Sequence, residues 1–564
     1  MLSVIVILLG IILYAITYWV YVKWFAKNVI MADPKRETPA HTYMDGVEFF
    51  PSNKYVLFGF QWKSIAALGP VTGPIIALQW GWLPAFLWII FGTIFIGWIH
   101  DYGSLMVSAR SEGASFGPIT YELISPRART ILLWYILFYV ILILSSFCNI
   151  VATQVFPAYP VSPVPVLIVA IVGILSGYAT YKLKVNIVYT TIIAVIIMFL
   201  GIWIGMALPY SVPLSATGAF PLARDFWIFM TLLFCFLGAV LPIWVFIQPI
   251  NYLSFYLVYA GIIGMIIGAF VGAPNYQASM TTVFYDLSKA ASGPLWPMMF
   301  VTIACGAISG WHSLIGSSVS SKQLDSEPDA HFIGGGAMLA EGILALVSLT
   351  AVAILTPAQL AGKVYPADKF VVGGSTLLGY LGIPVEVGNA LAAVMVIILA
   401  ITIMHIGLRI TRLVLSDLSG PRFGGVFKNK YFSGIIVCII VYILTSPHTG
   451  AAFSYIWGTF GGANQLMAGL ALMIVSLWLT KEKRPTVYTV IPMLFMLVTT
   501  LSALTYLVYD GIWNSITGYL VTLKLGTLFA VCVNIFLLIL GLFMCYEGAK
   551  AFKRLRAKPE KTTA

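Results

Sequence analysis

The apolar residues of this chain of 564 residues fall into long runs separated by short polar stretches. A helix needs about 20 apolar residues to cross the roughly 30 Å hydrocarbon layer of a bilayer. The pattern therefore predicts an all-α polytopic membrane protein with about 15 transmembrane helices. The predicted spans are 2–22, 55–78, 82–106, 130–155, 164–180, 185–209, 226–248, 250–272, 295–318, 333–356, 385–410, 433–447, 456–480, 487–509 and 526–548.

The composition excludes most other classes of protein. Hydrophobic residues make up 60% of the chain and charged residues only 9%, whereas soluble proteins carry about 25% charged residues. A soluble enzyme, a nucleic-acid-binding protein and a fibre are therefore excluded. The longest polar stretches, 23–54 and 357–384, are too short for a separate soluble domain. We interpret 2–22 as an anchor helix, since aromatic residues stand where a signal peptide needs small ones.

The basic residues are distributed unevenly between alternate loops. If every predicted span crosses the membrane, 25 of the 31 Lys and Arg residues lie on one side. Basic residues collect on the cytoplasmic side. The pattern predicts an outside N-terminus, a cytoplasmic C-terminus and an odd number of spans.

Two predicted spans contain residues that disrupt helices. Span 55–78 holds Gly69, Pro70, Gly73 and Pro74, and span 226–248 holds Gly238 and Pro242. Proline removes an amide donor and clashes with the preceding turn. If the second span is the sixth helix of the core, the two breaks match in oppositely oriented halves, which indicates an inverted-repeat transporter. The alternative is that both helices are only kinked.

This interpretation divides the chain into three parts. Residues 1–54 form an anchor helix with a cytoplasmic loop, and residues 55–410 form a transport core of two five-helix halves. Residues 411–564 form additional C-terminal helices with a cytoplasmic tail. Half-helix N-termini at the breaks present amides to a carboxylate. We therefore expect the substrate site at the two breaks.

Span 295–318 is a third weak point. Its segment CGAISGWHSLIGSS contains Gly306, Gly310 and Gly316 among small residues, which also suit close helix packing. His312 is an ionisable residue within this apolar run, and such residues mark proton or substrate routes. The alternative for His312 is a hydrogen bond to neighbouring backbone.

Three more ionisable residues lie within spans, namely Lys63, Asp101 and Glu341. Intramembrane ionisable residues are functional candidates. The alternatives are that Lys63 extends to the cytoplasmic face and that Asp101 pairs with Arg110. Asn464 and Gln465 are best explained by hydrogen bonds between helices.

Other chemistry has little support in the sequence. The six cysteines are isolated in apolar runs, no two histidines are spaced i, i+4, and no nucleotide-binding GxxxxGK[ST] motif occurs. We predict no cofactor, no metal and no enzymatic activity. The loop 33–54 holds Asp33, His41, Asp45 and Glu48. We interpret it as a folded cytoplasmic gate or cap, and the alternative is a metal site.

The motifs resemble the carbon starvation protein CstA family from about residue 33 to 480. The matches are GPVTGP (69–74) with Gln79 and GWLP (81–84), FGGANQLMA (460–468), and CGAISGWHSLIGSSVSSKQLDSEPDAHFIGGGAMLAE (305–341). The resemblance implies a prokaryotic inner-membrane importer of peptides or pyruvate. It also implies proton coupling, a link to nutrient starvation, and the LeuT-like five-plus-five fold of the amino acid–polyamine–organocation superfamily.

The chain departs from the family pattern at several charged positions. Phe60 and Gln61 replace two histidines, and Ile250 and Asn251 replace an arginine and an aspartate. His405 replaces another aspartate, and Lys63 replaces a small residue. The family's coupling mechanism therefore does not transfer directly. We hypothesise that Lys63 gains and loses a proton once per transport cycle.

The sequence thus predicts a secondary transporter for peptides or, second, small carboxylates such as pyruvate, coupled to H⁺ or Na⁺. The alternative is a membrane sensor or channel, although no signalling domain or charged pore ring is visible. Predicted coupling residues are Lys63, Asp101 and Glu341. Predicted substrate-binding residues are Gly69, Pro70, Thr72, Gly73, Pro242, Trp244, Ser309 and His312.

Overall fold

The protein is described by a computed structural model. The structure describes residues 1–212, 222–281, 292–419, 425–446, 453–517 and 525–557. The regular structure in these ranges is helical, and the described residues contain no strand beyond one isolated bridge between Ser52 and Leu324. The predicted all-α class is confirmed.

Eleven helices within the described residues are long and apolar enough to span a membrane. They are Leu2–Ile30, Trp82–Ala109, Pro126–Ala158, Pro163–Tyr181, Ile187–Ala207, Ile247–Gly272, Glu327–Ala353, Val385–Leu418, Trp457–Lys481, Val487–Ile512 and Leu528–Ala557. The other four predicted spans correspond to shorter or divided helices. These are Lys54–Ile65 with Gly69–Ala77, Leu222–Val240, 295–302 with Gly310–Ser318, and Lys430–Thr445. The number of about 15 spans stays a prediction.

Burial separates central helices from peripheral ones. The most apolar windows of Trp457–Lys481 and Val385–Leu418 are 100% and 94% buried within the protein, whereas that of Ile187–Ala207 is 28% buried. A helix that is apolar on all sides and buried belongs to a core. The divided helices pack among these central helices, so their polar backbone is covered by protein rather than lipid.

The first break lies at residues 66–68, three residues before the predicted position. The GPVTGP segment is itself helical and begins Gly69–Ala77. Pro70 lies in the first turn of this helix, where the missing amide costs no intrahelical bond. The expected unwinding at Gly69–Pro74 is therefore wrong, since the segment starts a new helix.

The second break lies in span 295–318 and not in span 226–248. The chain leaves helical geometry at residues 303–309 and resumes at Gly310–Ser318. Gly306 has φ +84° within this break, a backbone conformation that residues other than glycine rarely adopt. In contrast, Pro242 lies in a turn that joins Leu222–Val240 to Ile247–Gly272. The assignment of 226–248 as the matching broken helix is therefore wrong.

Residues 33–54, which we call the cap, fold against the segment 322–329. The amide of Ser52 donates to the carbonyl of Gln323 at 3.0 Å, and the hydroxyl of Thr38 donates to the carbonyl of Leu324 at 2.5 Å. His41 Nε2 lies 2.9 Å from Asp325 Oδ1. The cap closes one face of the helix bundle, which we call the cap face.

Candidate functional site

The two breaks face each other and touch. Trp311, in the first turn after the second break, donates its indole N–H to the carbonyl of Ser64 beside the first break at 2.8 Å. A β-carbon on Gly69 would lie 2.5 Å from Cys305 Sγ, so only glycine permits this approach. Pro70 packs against Gly306. The structure therefore brings the predicted first site segment together with the second break.

Adjacent amides from a distant helix hold the ends of the second break. Asn464 Oδ1 accepts from the Trp311 amide at 3.2 Å and from Ser309 Oγ at 3.1 Å, and Tyr139 donates to the same oxygen. Gln465 Nε2 donates to the carbonyls of Phe300 at 2.6 Å and Ile303 at 3.2 Å. These groups satisfy backbone that the break leaves without helical partners. The predicted interhelical role of both amides is confirmed.

A buried cluster of two carboxylates and two imidazoles lies beside the breaks. Asp101 lies 2.7 Å from His100 Nδ1 through Oδ1 and 2.8 Å from His312 Nδ1 through Oδ2. The other ring nitrogen of His312 lies 3.1 Å from Glu341 Oε2, although the two groups are not aligned as a hydrogen bond. All four side chains are buried. The imidazole of His312 thus bridges two carboxylates.

Three of these four residues were predicted separately from the sequence, and the structure unites them. Asp101 comes from Trp82–Ala109, His312 from Gly310–Ser318 and Glu341 from Glu327–Ala353. Sequence reasoning missed His100, whose only signal was its position next to Asp101. The alternative pairing of Asp101 with Arg110 does not occur, since Arg110 binds Glu327 at 2.8 Å.

Lys63 lies at the end of the first half-helix and is fully buried. Its Nζ lies 2.5 Å from Thr402 Oγ1 and 3.5 Å from the carbonyl of Ala66 within the first break. The alternative that it extends to solvent is therefore excluded. Sequence reasoning missed Thr402, because a threonine in an apolar helix is common.

Two further polar side chains accompany Lys63. Asn251 donates to Ser64 Oγ at 2.9 Å and to the carbonyl of Thr402 at 3.5 Å. His405 lies one turn beyond Thr402, stacked on Phe234, and neither of its ring nitrogens has a hydrogen-bond partner. Lys63, Asn251 and His405, three departures from the resembled family pattern, therefore lie around the first break.

The remaining predicted site residues divide into two groups. Thr72 donates to the carbonyl of Leu68 at 2.8 Å and lines a cavity of about 260 Å³. Gly73 packs on the carbonyl of Thr302, at the second break. Pro242 and Trp244 instead lie in the turn at the cap face, where Trp244 contacts Lys182. They do not meet the breaks, because proline here ends a helix.

Ion pairs fasten the cap to the bundle. Glu48 lies 2.8 Å from Lys322 Nζ and 3.1 Å from Arg409 Nη2. Outside the cap, Arg110 binds Glu327 of the segment 322–329 through two nitrogens. Burial favours the neutral form of Glu48, but the two cations hold its pKa below the usual value of 4.5. Lys322 follows the second broken helix, and Arg409 belongs to Val385–Leu418. Glu48 therefore links these two segments.

Candidate spans, two interrupted helices in mutual contact and a buried ionisable cluster are together characteristic of helical membrane transport proteins. The chain belongs to the carbon starvation protein CstA family, whose model matches residues 2–363 and 358–503. The predicted resemblance is thus confirmed.

Relatives of this family include proteins named as transporters. The chain is 29% identical to the peptide transporter CstA of Escherichia coli K12, over 87% of this chain and 79% of the relative. It is 27% identical to the peptide transporter CstA of Bacillus subtilis 168, over 97% and 96%. It is 34% identical to the pyruvate/proton symporter BtsT of Escherichia coli K12, over 61% and 48%.

Among solved structures, the chain is similar to a manganese transporter of Eremococcus coleocola. The sequence identity is 11% and the TM-score is 0.49, over 91% of this chain and 99% of that one.

Proposed function

We propose that this protein is a secondary transporter that imports peptides or small carboxylates such as pyruvate together with protons. The observation that carries the proposal is the contact between the two helix breaks beside the buried cluster of Asp101, His312 and Glu341. Relatives named peptide transporter and pyruvate/proton symporter support it. The proposal includes a LeuT-like repeat that works by alternating access. It also places the protein in a prokaryotic inner membrane with the cap in the cytoplasm.

The substrate site in this proposal consists of the half-helix N-termini at the breaks. Gly69, Pro70, Thr72 and Gly73 belong to the first turns of Gly69–Ala77. Ser309 and His312 flank the start of Gly310–Ser318. Amides at a helix N-terminus and the positive end of its dipole favour a carboxylate. Pro242 and Trp244 are left out, because they lie at the cap face.

The proton site in this proposal is the bridge through His312. An imidazolium between two carboxylates leaves one excess negative charge, which one further proton neutralises. The His312–Glu341 contact is close but not aligned, so Glu341 is the group we assign to receive that proton. Its position next to the second break links proton binding to the helix that also borders the substrate site.

Uptake into proteoliposomes tests this function. With an alkaline lumen, we expect labelled pyruvate or alanyl-alanine to accumulate. Glu341→Gln should abolish accumulation driven by the pH gradient but retain counterflow exchange. The matched control is Glu122→Gln, which changes a carboxylate on the surface and should transport normally.

Other outcomes of the same assay contradict parts of the proposal. If accumulation requires a sodium gradient and does not respond to the pH gradient, the coupling ion is Na⁺ and not H⁺. Absence of transport of both solutes by the unmodified protein would contradict the proposed function.

A further inference from the structure

The ammonium group of Lys63 is buried without an anionic partner among the residues that the structure describes. Its side chain is 0% exposed, and its contacts are the hydroxyl of Thr402 and the carbonyl of Ala66. Thr402 itself donates to the carbonyl of Ile398 at 2.5 Å, so its oxygen accepts from Lys63. An ammonium has three donors, and one of them remains for a further acceptor.

The carboxylates of the buried cluster beside the breaks are occupied elsewhere. Asp101 accepts from both His100 and His312, and Glu341 faces His312. A buried charge without a counter-ion is strongly disfavoured unless something pairs with it. The described part of the chain therefore supplies no counter-ion for the ammonium of Lys63.

Lys63 also stands at the position where the proposed substrate site begins. The carbonyl of Ala66, which it contacts, belongs to the unwound residues of the first break. Ser64, the next residue, touches Asn251 and Trp311, and Trp311 lies in the first turn of the half-helix after the second break. A solute held at the first break therefore lies beside the carbonyl that Lys63 contacts.

We propose that Lys63 binds the carboxylate of the transported solute as an ion pair. The inference deepens the proposed function and rests on it, and it specifies the substrate class as solutes with a free carboxylate. His405, with both ring nitrogens unpartnered, offers a second polar contact for the same solute. Lys63 is an ammonium while the solute is bound, and the transported proton resides on the Asp101–His312–Glu341 cluster.

Binding to the purified full-length protein separates a carboxylate contact from other roles. The probes are pyruvate with its uncharged methyl ester, and alanyl-alanine with its C-terminal amide. The unmodified protein should bind the two carboxylates and discriminate against the two partners that lack a carboxylate, which are the uncharged ester and the cationic dipeptide amide. Lys63→Met should weaken carboxylate binding at least about 30-fold, since removal of one partner of a buried ion pair acts on affinity.

Two variants serve as controls. Lys54→Met removes an ammonium from the same helix at an exposed position, 43% accessible, and should bind as the unmodified protein does. Thr402→Val keeps the shape but removes the hydroxyl that holds the ammonium. It should raise the dissociation constant for the carboxylates several-fold and leave that for the ester unchanged. Thr402→Val also keeps the inference testable if Lys63→Met does not fold.

The outcomes distinguish the inference from the function on which it rests. If Lys63→Met binds pyruvate and alanyl-alanine unchanged but no longer accumulates them under a pH gradient, Lys63 is a proton carrier and the inference is wrong. If Lys63→Met binds and accumulates both normally, the inference is also wrong, while the proposed function stands. If the unmodified protein neither binds nor transports any probe, the proposed function itself fails.

Discussion

At the residue scale, the chemistry of this protein is concentrated in a few ionisable side chains that apolar helices bring together. Asp101, His312 and Glu341 can each be recognised in the sequence as an unusual residue in an apolar run. The sequence does not show that these three side chains contact each other, because the contact depends on how three separate helices pack. His100 and Thr402 were missed for a related reason, since their significance arises only from the side chains that they contact.

Replacement of His312 tests whether it holds the two carboxylates together. We expect His312→Gln to lower the free energy of unfolding by about 3–5 kcal/mol, because two buried carboxylates lose their shared cation. Thermal unfolding in detergent measures the loss. His41→Gln, whose partner Asp325 is on the surface, should change the value by less than about 1 kcal/mol. Equal melting temperatures for the two variants would contradict the bridging role.

At the scale of elements, glycine and proline show where a helix is weak but not where it opens. The first break was predicted in the correct span but three residues away, and the second was assigned to the wrong span. The position of a break depends on the groups that satisfy the freed backbone. For the second break these are Asn464 and Gln465, more than a hundred residues distant in the sequence.

A methyl group at Gly69 should separate the two breaks. Its β-carbon would lie 2.4 Å from that of Cys305, so we expect Gly69→Ala to reduce both thermal stability and uptake. Gly379→Ala places a methyl group in open space at the end of Pro366–Gly379 and should be neutral. Normal stability and uptake of Gly69→Ala would show that the breaks separate without cost.

The cap should respond to acid through Glu48. A carboxylate whose folded-state pKa is lowered stabilises the fold above its usual pKa and loses this effect as the pH falls through the lowered value. We expect the amides of residues 45–54 to keep their hydrogen-exchange protection down to about pH 4.5 and to lose it below. Glu48→Gln should weaken protection at neutral pH. Loss of protection between pH 5 and 7 in the unmodified protein would contradict this assignment.

At the scale of the whole molecule, the residues predicted to lie on the same side of the membrane are found at the same end of the helix bundle. The cap contacts Arg409 and the segment 322–329 on one face. The N-terminal amine contacts the carbonyl of Pro274 at the far end of Ile247–Gly272. The basic residues predicted to share one side, such as Arg110, Lys322 and Arg409, do lie on the cap face. Which face is cytoplasmic depends on the membrane and stays a prediction.

Labelling of single cysteines tests this orientation. Met44→Cys lies in the cap and Val364→Cys in the loop 357–384, at positions that are 65% and 74% exposed. An impermeant maleimide added to intact cells should label Val364→Cys only, because the basic cap face lies inside. The unmodified protein gives the background from native thiols. Labelling of Met44→Cys without Val364→Cys would reverse the orientation.

Thr402 and Arg409 belong to one uninterrupted helix, Val385–Leu418. Seven residues correspond to almost two full turns, so the two side chains point the same way and lie about 10 Å apart along the axis. One holds Lys63 and the other holds Glu48. Because both side chains belong to one continuous helix, a rotation of that helix that releases Lys63 from Thr402 also displaces Arg409 from Glu48. The centre of the molecule and its cap are therefore joined mechanically through a single helical face.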